Sequence, residues 1–167
     1  MLNKKIEKIL NEQVEKEGYS SNLYLAMATW TEANGYGGTA KWFYAQAEEE
    51  RIHMLKIIGY IAERGGHAVV PSFEAPPKDF TDIHSTFEEV LKHEQYITKS
   101  INDIVEMTIN EKDYTTHSWI QWFVTEQIEE EAQVYEILDK LNLLGKQNLY
   151  LFDRDLMSMR GAEDDEE

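Results

Sequence analysis

Apolar residues recur at three- and four-residue spacing through four long stretches of the chain, a pattern that predicts amphipathic α-helices. Glycines at 35–38 and 65–66, and three prolines between Pro71 and Pro77, separate these stretches. A fifth, shorter stretch follows Gly145. We therefore predict five helices, numbered α1 to α5 in chain order, over residues 4–34, 39–65, 86–112, 115–143 and 148–158.

The helix ends carry their own signals. Ser85, followed three residues later by Glu88, predicts a capping box that opens α3. Gly65-Gly66 and Gly145 predict left-handed caps at the ends of α2 and α4.

The lengths of the connections predict the topology. Only a few residues join α1 to α2, α3 to α4 and α4 to α5, so these neighbours should turn back on each other. About twenty residues join α2 to α3, and they can extend over ~65 Å, whereas a helix of the length of α2 measures only ~40 Å. This connection can therefore run the length of the bundle. The predicted fold class is all-α, a four-helix bundle with one long crossover and a short fifth C-terminal helix.

Each of the four long helices has a glutamate within its apolar stripe, near the middle of the helix: Glu17, Glu50, Glu94 and Glu130. Four buried carboxylates would repel one another, and each would cost several kcal/mol to bury. Two divalent cations would balance their charges, so the pattern predicts a dinuclear metal site. A stripe read out of phase would instead place its glutamate on the surface. Four such errors at matched depth explain the pattern less well than one shared site.

Glu50 and His53 form an E-x-x-H pair, which places a carboxylate and an imidazole on one helical face. Alone the motif is weak, because a single histidine is more often structural than a ligand. Beside the other core glutamates, we interpret His53 as a ligand. Such a donor set suits Fe(II), Mn(II) or Zn(II) without choosing among them. Surface roles are expected for the remaining histidines, His67, His84, His93 and His117.

Runs of residues around these positions resemble the bacterial-type, haem-free ferritins. They are EGYSSNLY at 17–24, EERIHM at 49–54, KHEQ at 92–95, QWF at 121–123 and EQIEEE at 126–131. The resemblance covers almost the whole chain and implies the ferritin-like form of the bundle. It also implies that the metal is iron, and that the chain is a ferroxidase that oxidises Fe(II) with O2 or H2O2. The ferric product would be stored as a mineral inside a homo-oligomeric cage of 24 subunits.

The resemblance implies a role for each site residue. Glu17, Glu50 and His53 would bind the first iron. Glu94 and Glu130 would bind the second, with Glu50 bridging the two.

Further residues are assigned by the same resemblance. Gln127 would be a polar group beside the iron pair. Glu49, Glu126 and Glu129, together with Glu130, match a third iron site. An ordinary solvated acidic face would explain Glu126 and Glu129 nearly as well.

Two aromatic residues could act in the oxidation. Tyr24 lies two turns after Glu17 on the same stripe, so its hydroxyl can reach the site. By resemblance it hydrogen-bonds a ligand and lends an electron, and Trp122 is a second candidate for the electron. Plain core packing is the alternative for both side chains.

Some positions depart from related families. α4 offers Gln127 and Glu130 where rubrerythrins, di-iron oxygenases and bacterioferritins carry a second E-x-x-H pair, so the site should have one imidazole. Arg51 follows the bridging glutamate where bacterioferritins carry a haem-binding methionine, so no haem is expected. In α5, an apolar side suits either docking at a symmetry axis of a cage or packing on its own bundle: Leu149, Phe152 and Leu156.

Three functions compete. The first is iron storage with ferroxidase activity. The second is a di-iron peroxidase or oxygenase of the same fold without a storage role, which would need a second histidine ligand or a rubredoxin-type cysteine domain. The third is a metal-free helical interaction protein, which leaves the four core glutamates unexplained.

The composition limits the classes of partner that the chain could bind. The formal charge of −16 and the pI near 4.7 favour cations and argue against nucleic acid or a membrane surface. The absence of cysteine excludes thiolate metal sites and disulfides. No apolar run reaches the ~18 residues of a membrane span, so we expect a cytoplasmic protein. Residues 1–160 are expected to form one ferritin-like di-iron domain, and residues 161–167 an acidic, disordered tail.

Overall fold

Four long helices and one short helix make up the computed structural model, which describes residues 1–160. No strand occurs in this range, and none of its helices has the length of apolar residues that a membrane crossing requires. The predicted all-α fold class is confirmed, with helix ends within three residues of their predicted places. The tail predicted for residues 161–167 lies outside the described residues. The helices are α1 Lys4–Ala33, α2 Gly37–Glu63, α3 Ile83–Asn110, α4 Tyr114–Leu144 and α5 Leu149–Arg160.

The helices pack in two pairs, α1 with α2 and α3 with α4, and α1 also contacts α3. Residues 64–82 form the long connection between the pairs. Phe73 in this connection packs on Gly18 in the middle of α1, where an added Cβ would come within 2.3 Å of the ring. The connection therefore runs along the bundle, next to the turn of α1 that carries Glu17.

The start of α3 differs from the prediction. Asp82 is its N-cap, and its side chain accepts a hydrogen bond of 2.8 Å from the backbone N–H of Ser85. The Ser85 hydroxyl accepts one of 3.2 Å from the backbone N–H of Asp82, which completes the capping box. The predicted box of Ser85 with Glu88 is therefore wrong, and Glu88 is exposed. The helix begins one turn earlier because Ile83 is buried in the core.

The predicted glycine caps do have positive φ. Gly65 has φ +72° and follows the end of α2. The backbone N–H groups of Gly65 and Gly66 donate to the carbonyl oxygens of Ala62 and Ile61, which is the Schellman pattern. Gly145 has φ +67° at the end of α4, but its ψ of 170° lies outside the left-handed helical region, so the left-handed cap predicted there is wrong.

A polar layer divides the apolar core in two. One apolar cluster includes Tyr24, Phe43, Phe87, Val134 and Phe152, and the other includes Ile6, Leu10, Ile57, Ile101 and Ile120. On each long helix the core glutamate lies between residues of the first cluster and residues of the second. The four glutamates therefore share one depth in the bundle: Glu17, Glu50, Glu94 and Glu130.

α5 packs on its own bundle. Its Phe152 and Leu156 are buried, and Leu149 is partly buried. Phe152 contacts the ring of Phe87 on α3 at a centroid distance of 5.9 Å. Of the two roles open for this helix, packing on its own subunit is the one observed.

Candidate metal centre

The four core glutamates come from four different helices and are all excluded from solvent. Their exposed fractions are 1% for Glu17, 1% for Glu50, 0% for Glu94 and 3% for Glu130. The helical stripes that place apolar side chains above and below them also point these carboxylates inward. A cluster of this charge and burial needs compensating positive charge or protons.

Glu17, Glu50 and His53 form the first candidate ligand group, with one ligand atom of each within 4.8 Å of the others. Nδ1 of His53 lies 3.3 Å from Oε2 of Glu50. Among the described residues, only two buried side-chain polar atoms lack a hydrogen-bond partner, and they are Oε2 of Glu17 and Oε2 of Glu50. An unpaired buried carboxylate oxygen is costly, so each is suited to a cation.

A second group consists of His53, Glu126 and Glu130, again within 4.8 Å of one another. Nε2 of His53 lies 3.8 Å from Oε1 of Glu126. His53 thus stands between the two groups, with one ring nitrogen toward each, whereas the sequence assigned it to the first iron alone.

Glu94 lies outside both groups and is held by hydrogen bonds. The Tyr24 hydroxyl donates to Oε1 of Glu94. The Gln127 side-chain amide donates to Oε2 over 3.1 Å, and lies 3.2 Å from Oγ1 of Thr98. Tyr24 and Gln127 therefore fix the orientation of the Glu94 carboxylate.

Two glutamines not predicted from the sequence support the site. Nε2 of Gln13 donates to Oε1 of Glu17 over 2.8 Å, and Nε2 of Gln46 donates to Oε2 of Glu130 over 2.6 Å. Each glutamine lies four residues before a core glutamate, Glu17 or Glu50, on the same helical face. That repeated Q-x-x-x-E spacing on α1 and α2 was the signal available.

Burial and mutual repulsion shift the acidity of the cluster. Burial, and then the nearby carboxylates, raise the pKa of Glu50 well above its usual value. Burial and the charge of Glu94 do the same to the pKa of Glu130. Burial raises the pKa of Glu94 to about 7, against the opposing effect of its hydrogen bonds from Tyr24 and Gln127. Without a bound cation, protons supply the missing positive charge.

The imidazole of His53 and the phenol of Tyr24 stay neutral near pH 7. Burial lowers the pKa of His53, which leaves one nitrogen of the neutral ring available to bind metal. Burial and the charge of Glu94 raise the pKa of Tyr24 well above its usual value. Tyr24 therefore keeps the proton that it donates to Glu94.

The residues predicted for a third iron site lie at the edge of the buried layer. Glu49 and Glu126 are partly buried, and Glu129 is exposed and belongs to neither ligand group. Trp122 is 38% exposed, and its ring stands edge-on to His53 at a centroid distance of 5.4 Å. Nζ of Lys56 lies 3.6 Å from the centroid of that ring.

His93 does not have the surface role expected from the sequence. It is partly buried, and its Nε2 lies 2.7 Å from the Ser20 hydroxyl. Burial lowers the pKa of His93 to about 4, so the ring is neutral. His84 was expected in the crossover but is the second residue of α3.

Oxygen donors predominate in this centre, with one neutral imidazole. That combination suits hard or borderline divalent cations. Four helices position the donors, so the spacing is set by the core of the bundle and not by mobile loops.

One protein family and several known relatives match this sequence. A family model described as "Ferritin-like domain" matches residues 7–144. A probable bacterial non-haem ferritin-like protein of Haemophilus influenzae is 44% identical over 158 residues, covering 93% of this chain and 96% of its own. This chain belongs to the ferritin family. A bacterial non-haem ferritin of Campylobacter jejuni is 42% identical over 156 residues, covering 92% of this chain and 93% of its own.

Solved ferritin structures share the fold. An open-pore ferritin from the hyperthermophilic archaeon Archaeoglobus fulgidus superposes with a TM-score of 0.90 at 38% identity. The match covers 93% of this chain and 96% of the archaeal one. The resemblance to bacterial haem-free ferritins drawn from the sequence is therefore confirmed.

Proposed function

We propose that this ferritin-family chain stores iron, and that its core carboxylates form a ferroxidase centre. Two Fe(II) ions bind as substrate and are oxidised to Fe(III) by dioxygen or hydrogen peroxide. The ferric product moves to a mineral inside a cage built from copies of this chain.

One observation carries the proposal. Oε2 of Glu17 and Oε2 of Glu50 are buried, lack hydrogen-bond partners and lie in one group with a nitrogen of His53. Elsewhere in the core, buried polar atoms are paired, as in the hydrogen bonds of Gln13 and Gln46. Two unpaired acceptors in one group fit a divalent cation that both would bind.

The assignment of ligands keeps the roles implied by the resemblance, and the first ligand group supports the part that concerns the first iron. Glu17, Glu50 and His53 would hold the first iron. Glu130 and Glu94 would hold the second, and Glu50 would bridge the two. A third iron would lie beside them at Glu126, with Glu49, Glu129 and Glu130.

The oxidation balances in electrons and protons. Each of two Fe(II) ions gives one electron, and dioxygen takes both electrons with two protons to become hydrogen peroxide. If peroxide is the oxidant, the same two electrons and two protons convert it to two water molecules. Anionic oxygen ligands favour Fe(III) over Fe(II), and a pair of metal ions lets one oxidant address both.

Gln127 disfavours the alternative of a di-iron peroxidase or oxygenase. A second E-x-x-H pair would have its glutamate at Gln127 and its histidine at Glu130, and here the Gln127 side-chain amide donates to Glu94. The centre therefore has one imidazole and lacks the second histidine ligand that this alternative would need. The absence of haem expected from Arg51 and the cytoplasmic location remain predictions.

Assembly into a cage, with 24 subunits as the expected number, is part of the proposal. Large apolar side chains are exposed on the isolated subunit, with exposed fractions of 60% for Ile52, 66% for Val70 and 87% for Leu143. Contacts between copies would cover them.

Aerobic Fe(II) oxidation, titrated as iron per chain, tests the centre. The wild type should show a fast phase that saturates at about two to three irons per chain. Glu50→Ala should abolish this phase, whereas Glu48→Ala, which removes an exposed carboxylate from the same helix, should retain it. Slow oxidation that is indifferent to Glu50 would refute the ferroxidase centre, and size-exclusion chromatography of the same samples tests the cage.

A further inference from the structure

Four aromatic rings lead from the buried centre to the surface between α1 and α3. The ring of His93 lies 6.0 Å from that of Tyr24, 6.0 Å from that of Tyr19 and 6.1 Å from that of Tyr96, measured between centroids. Tyr24 is fully buried and donates its hydroxyl hydrogen bond to Glu94. Tyr96 is 51% exposed, and Tyr19 is partly buried.

The outer end of this series opens into a cleft. Tyr19, His93 and Tyr96 line a surface cavity of about 500 Å³ together with carboxylates of α1 and the crossover. A small solute can therefore reach the two outer tyrosines, although the centre itself is buried.

We propose that Tyr24, His93 and the outer pair Tyr19 and Tyr96 form a route for single electrons between this cleft and the iron centre. The proposal rests on the proposed function, because an oxidising equivalent remains when hydrogen peroxide reacts at the centre with a single bound Fe(II), which supplies only one of the two electrons required. Through this route, a one-electron reductant outside the protein supplies the electron that the oxidant would otherwise take from side chains of the core. The route therefore protects the core from oxidation.

Each step balances. Where only one Fe(II) is bound, hydrogen peroxide takes one electron from that ion and one from Tyr24, with two protons from water, to become two water molecules. Tyr24 passes its phenolic proton along the existing hydrogen bond to Oε1 of Glu94. The neutral Tyr24 radical then takes an electron through the His93 contact from Tyr96 or Tyr19, and takes its proton back from Glu94. The outer tyrosine releases its own phenolic proton to water. A solution reductant of the ascorbate type restores the outer tyrosine with one electron, and water returns the proton.

The aromatic neighbour on the other side of the centre is less suited to this task. Loss of an electron makes an indole a radical cation, and the ammonium group of Lys56 already lies 3.6 Å from the centroid of the Trp122 ring. Repulsion between the two positive charges opposes that oxidation. Tyrosine becomes a neutral radical because its proton leaves with the electron. Lys16 also lies near Tyr96, at 5.6 Å from the ring centroid, but it does not meet a charged radical there.

Freeze-quench electron paramagnetic resonance during aerobic Fe(II) oxidation tests the route. In the wild type, we expect a tyrosyl radical that is lost in Tyr24→Phe, and spin-trap adducts located by mass spectrometry at Tyr19 or Tyr96. In the double variant Tyr19→Phe/Tyr96→Phe, the Tyr24 radical should live several-fold longer, and ascorbate should no longer shorten its life. Phenylalanine keeps the ring packing, so the fold is retained.

The role of His93, and a matched control at Tyr44, are tested in the same way. His93→Leu removes the ring between the tyrosines and should lengthen the life of the Tyr24 radical, and His93→Phe should restore the wild-type decay. Tyr44→Phe removes an exposed tyrosine on α2 that bonds Glu32 away from this cluster, and it should change nothing.

Two outcomes would overturn the route. The first is wild-type decay of the Tyr24 radical in the double variant, and the second is adducts at Trp122 in place of the outer tyrosines. If the wild type fails to oxidise iron, the proposed function is refuted. The electron route can then be tested separately with iron-free protein. There, a flash-generated ruthenium(III) polypyridyl oxidant should produce the Tyr24 radical in the wild type and not in the double variant. Equal yields in both, or none in either, would refute the route.

Discussion

The backbone N–H of Thr39, in the first turn of α2, donates a 2.7 Å hydrogen bond to Oδ1 of Asp153 in α5. The Thr39 hydroxyl donates to the same oxygen over 2.8 Å, and the backbone N–H of Gly38 donates to Oδ2 over 3.0 Å. Tyr36, the N-cap residue of α2, offers no side-chain cap. A carboxylate from α5 thus caps α2 and interacts favourably with its dipole.

Gly38→Ala should displace α5. A Cβ on Gly38 would lie 1.8 Å from the carbonyl oxygen of Asp153, and backbone cannot yield as a flexible side chain does. We expect a loss of about 1–3 kcal/mol in the free energy of unfolding, measured with denaturant, and faster proteolysis within α5. Gly37→Ala is the matched control, since a Cβ at Gly37 meets nothing within 4 Å. Equal effects of the two substitutions would contradict this account.

Gly18→Ala should disturb the crossover next to the metal centre. A Cβ at this position would lie 2.3 Å from the Phe73 ring and 3.0 Å from Sδ of Met54. We expect Phe73 to leave α1, with a loss of about 1–2 kcal/mol in the free energy of unfolding.

Gly59→Ala in α2 is the control for that substitution. It meets nothing within 4 Å and should stabilise the helix by about 0.5–1 kcal/mol. Thermal unfolding of the three proteins measures both effects, and a gain in stability for Gly18→Ala would refute the packing argument.

The position of the carboxylate layer could be predicted from the sequence because it depends only on helical periodicity and on depth along each helix. Glu17 and Glu94 each fall between apolar residues of the same stripe, and the structure buries both. Which atoms meet inside the layer could not be predicted, because that depends on rotamers. His53 contacts both Glu50 and Glu126, and Glu94 is held by its hydrogen bonds.

Local signals of similar strength misled the prediction elsewhere. Asp82 and Ser85 are both good N-caps, and the burial of Ile83 decides between them. His93 sits off the apolar stripe of α3, yet Tyr19 and Tyr24 of α1 cover it, a contact that a single helix pattern cannot reveal. Tertiary packing determined both outcomes.

Gln46→Leu should weaken metal binding without removing a proposed ligand. The Gln46 amide donates to Oε2 of Glu130 and so lowers the pKa of that carboxyl against the larger effect of burial. Without this hydrogen bond, Glu130 holds its proton more firmly and competes less well for a cation. We expect roughly a tenfold weaker affinity for Zn(II), used as a redox-inert probe and measured by calorimetry. Gln121→Leu, at an exposed position that bonds only a backbone oxygen, should bind as the wild type does, and equal affinities for all three proteins would exclude this role.

The metal-free protein should lose stability as the pH rises. Burial raises the pKa of Glu94 from 4.5 to about 7, and it raises the pKa of Glu50 and Glu130 well above their usual values. Between pH 4.5 and about 7 these three carboxyls therefore hold protons in the folded chain that they have released in the unfolded chain. They outnumber the two buried histidines, His53 and His93, whose lowered pKa values act in the opposite direction. Stability falls with rising pH wherever the folded state binds more protons. Chelator-treated protein should thus be more stable at pH 5.5 than at pH 8, within the range ~5–8 where ordinary surface carboxylates no longer titrate.

Glu50→Gln tests the cause of that trend. The amide removes one charge from the repelling cluster, so the metal-free variant should gain about 1–3 kcal/mol at pH 8 and show a shallower pH dependence. With Zn(II) bound, the wild type should become more stable than the variant, because only the wild type offers the full set of carboxylates. Denaturant unfolding with and without the metal at both pH values measures the effect of the lost charge and the effect of metal binding separately. A variant less stable than the wild type under metal-free conditions at pH 8 would mean that the carboxylate layer is not strained by its own charge.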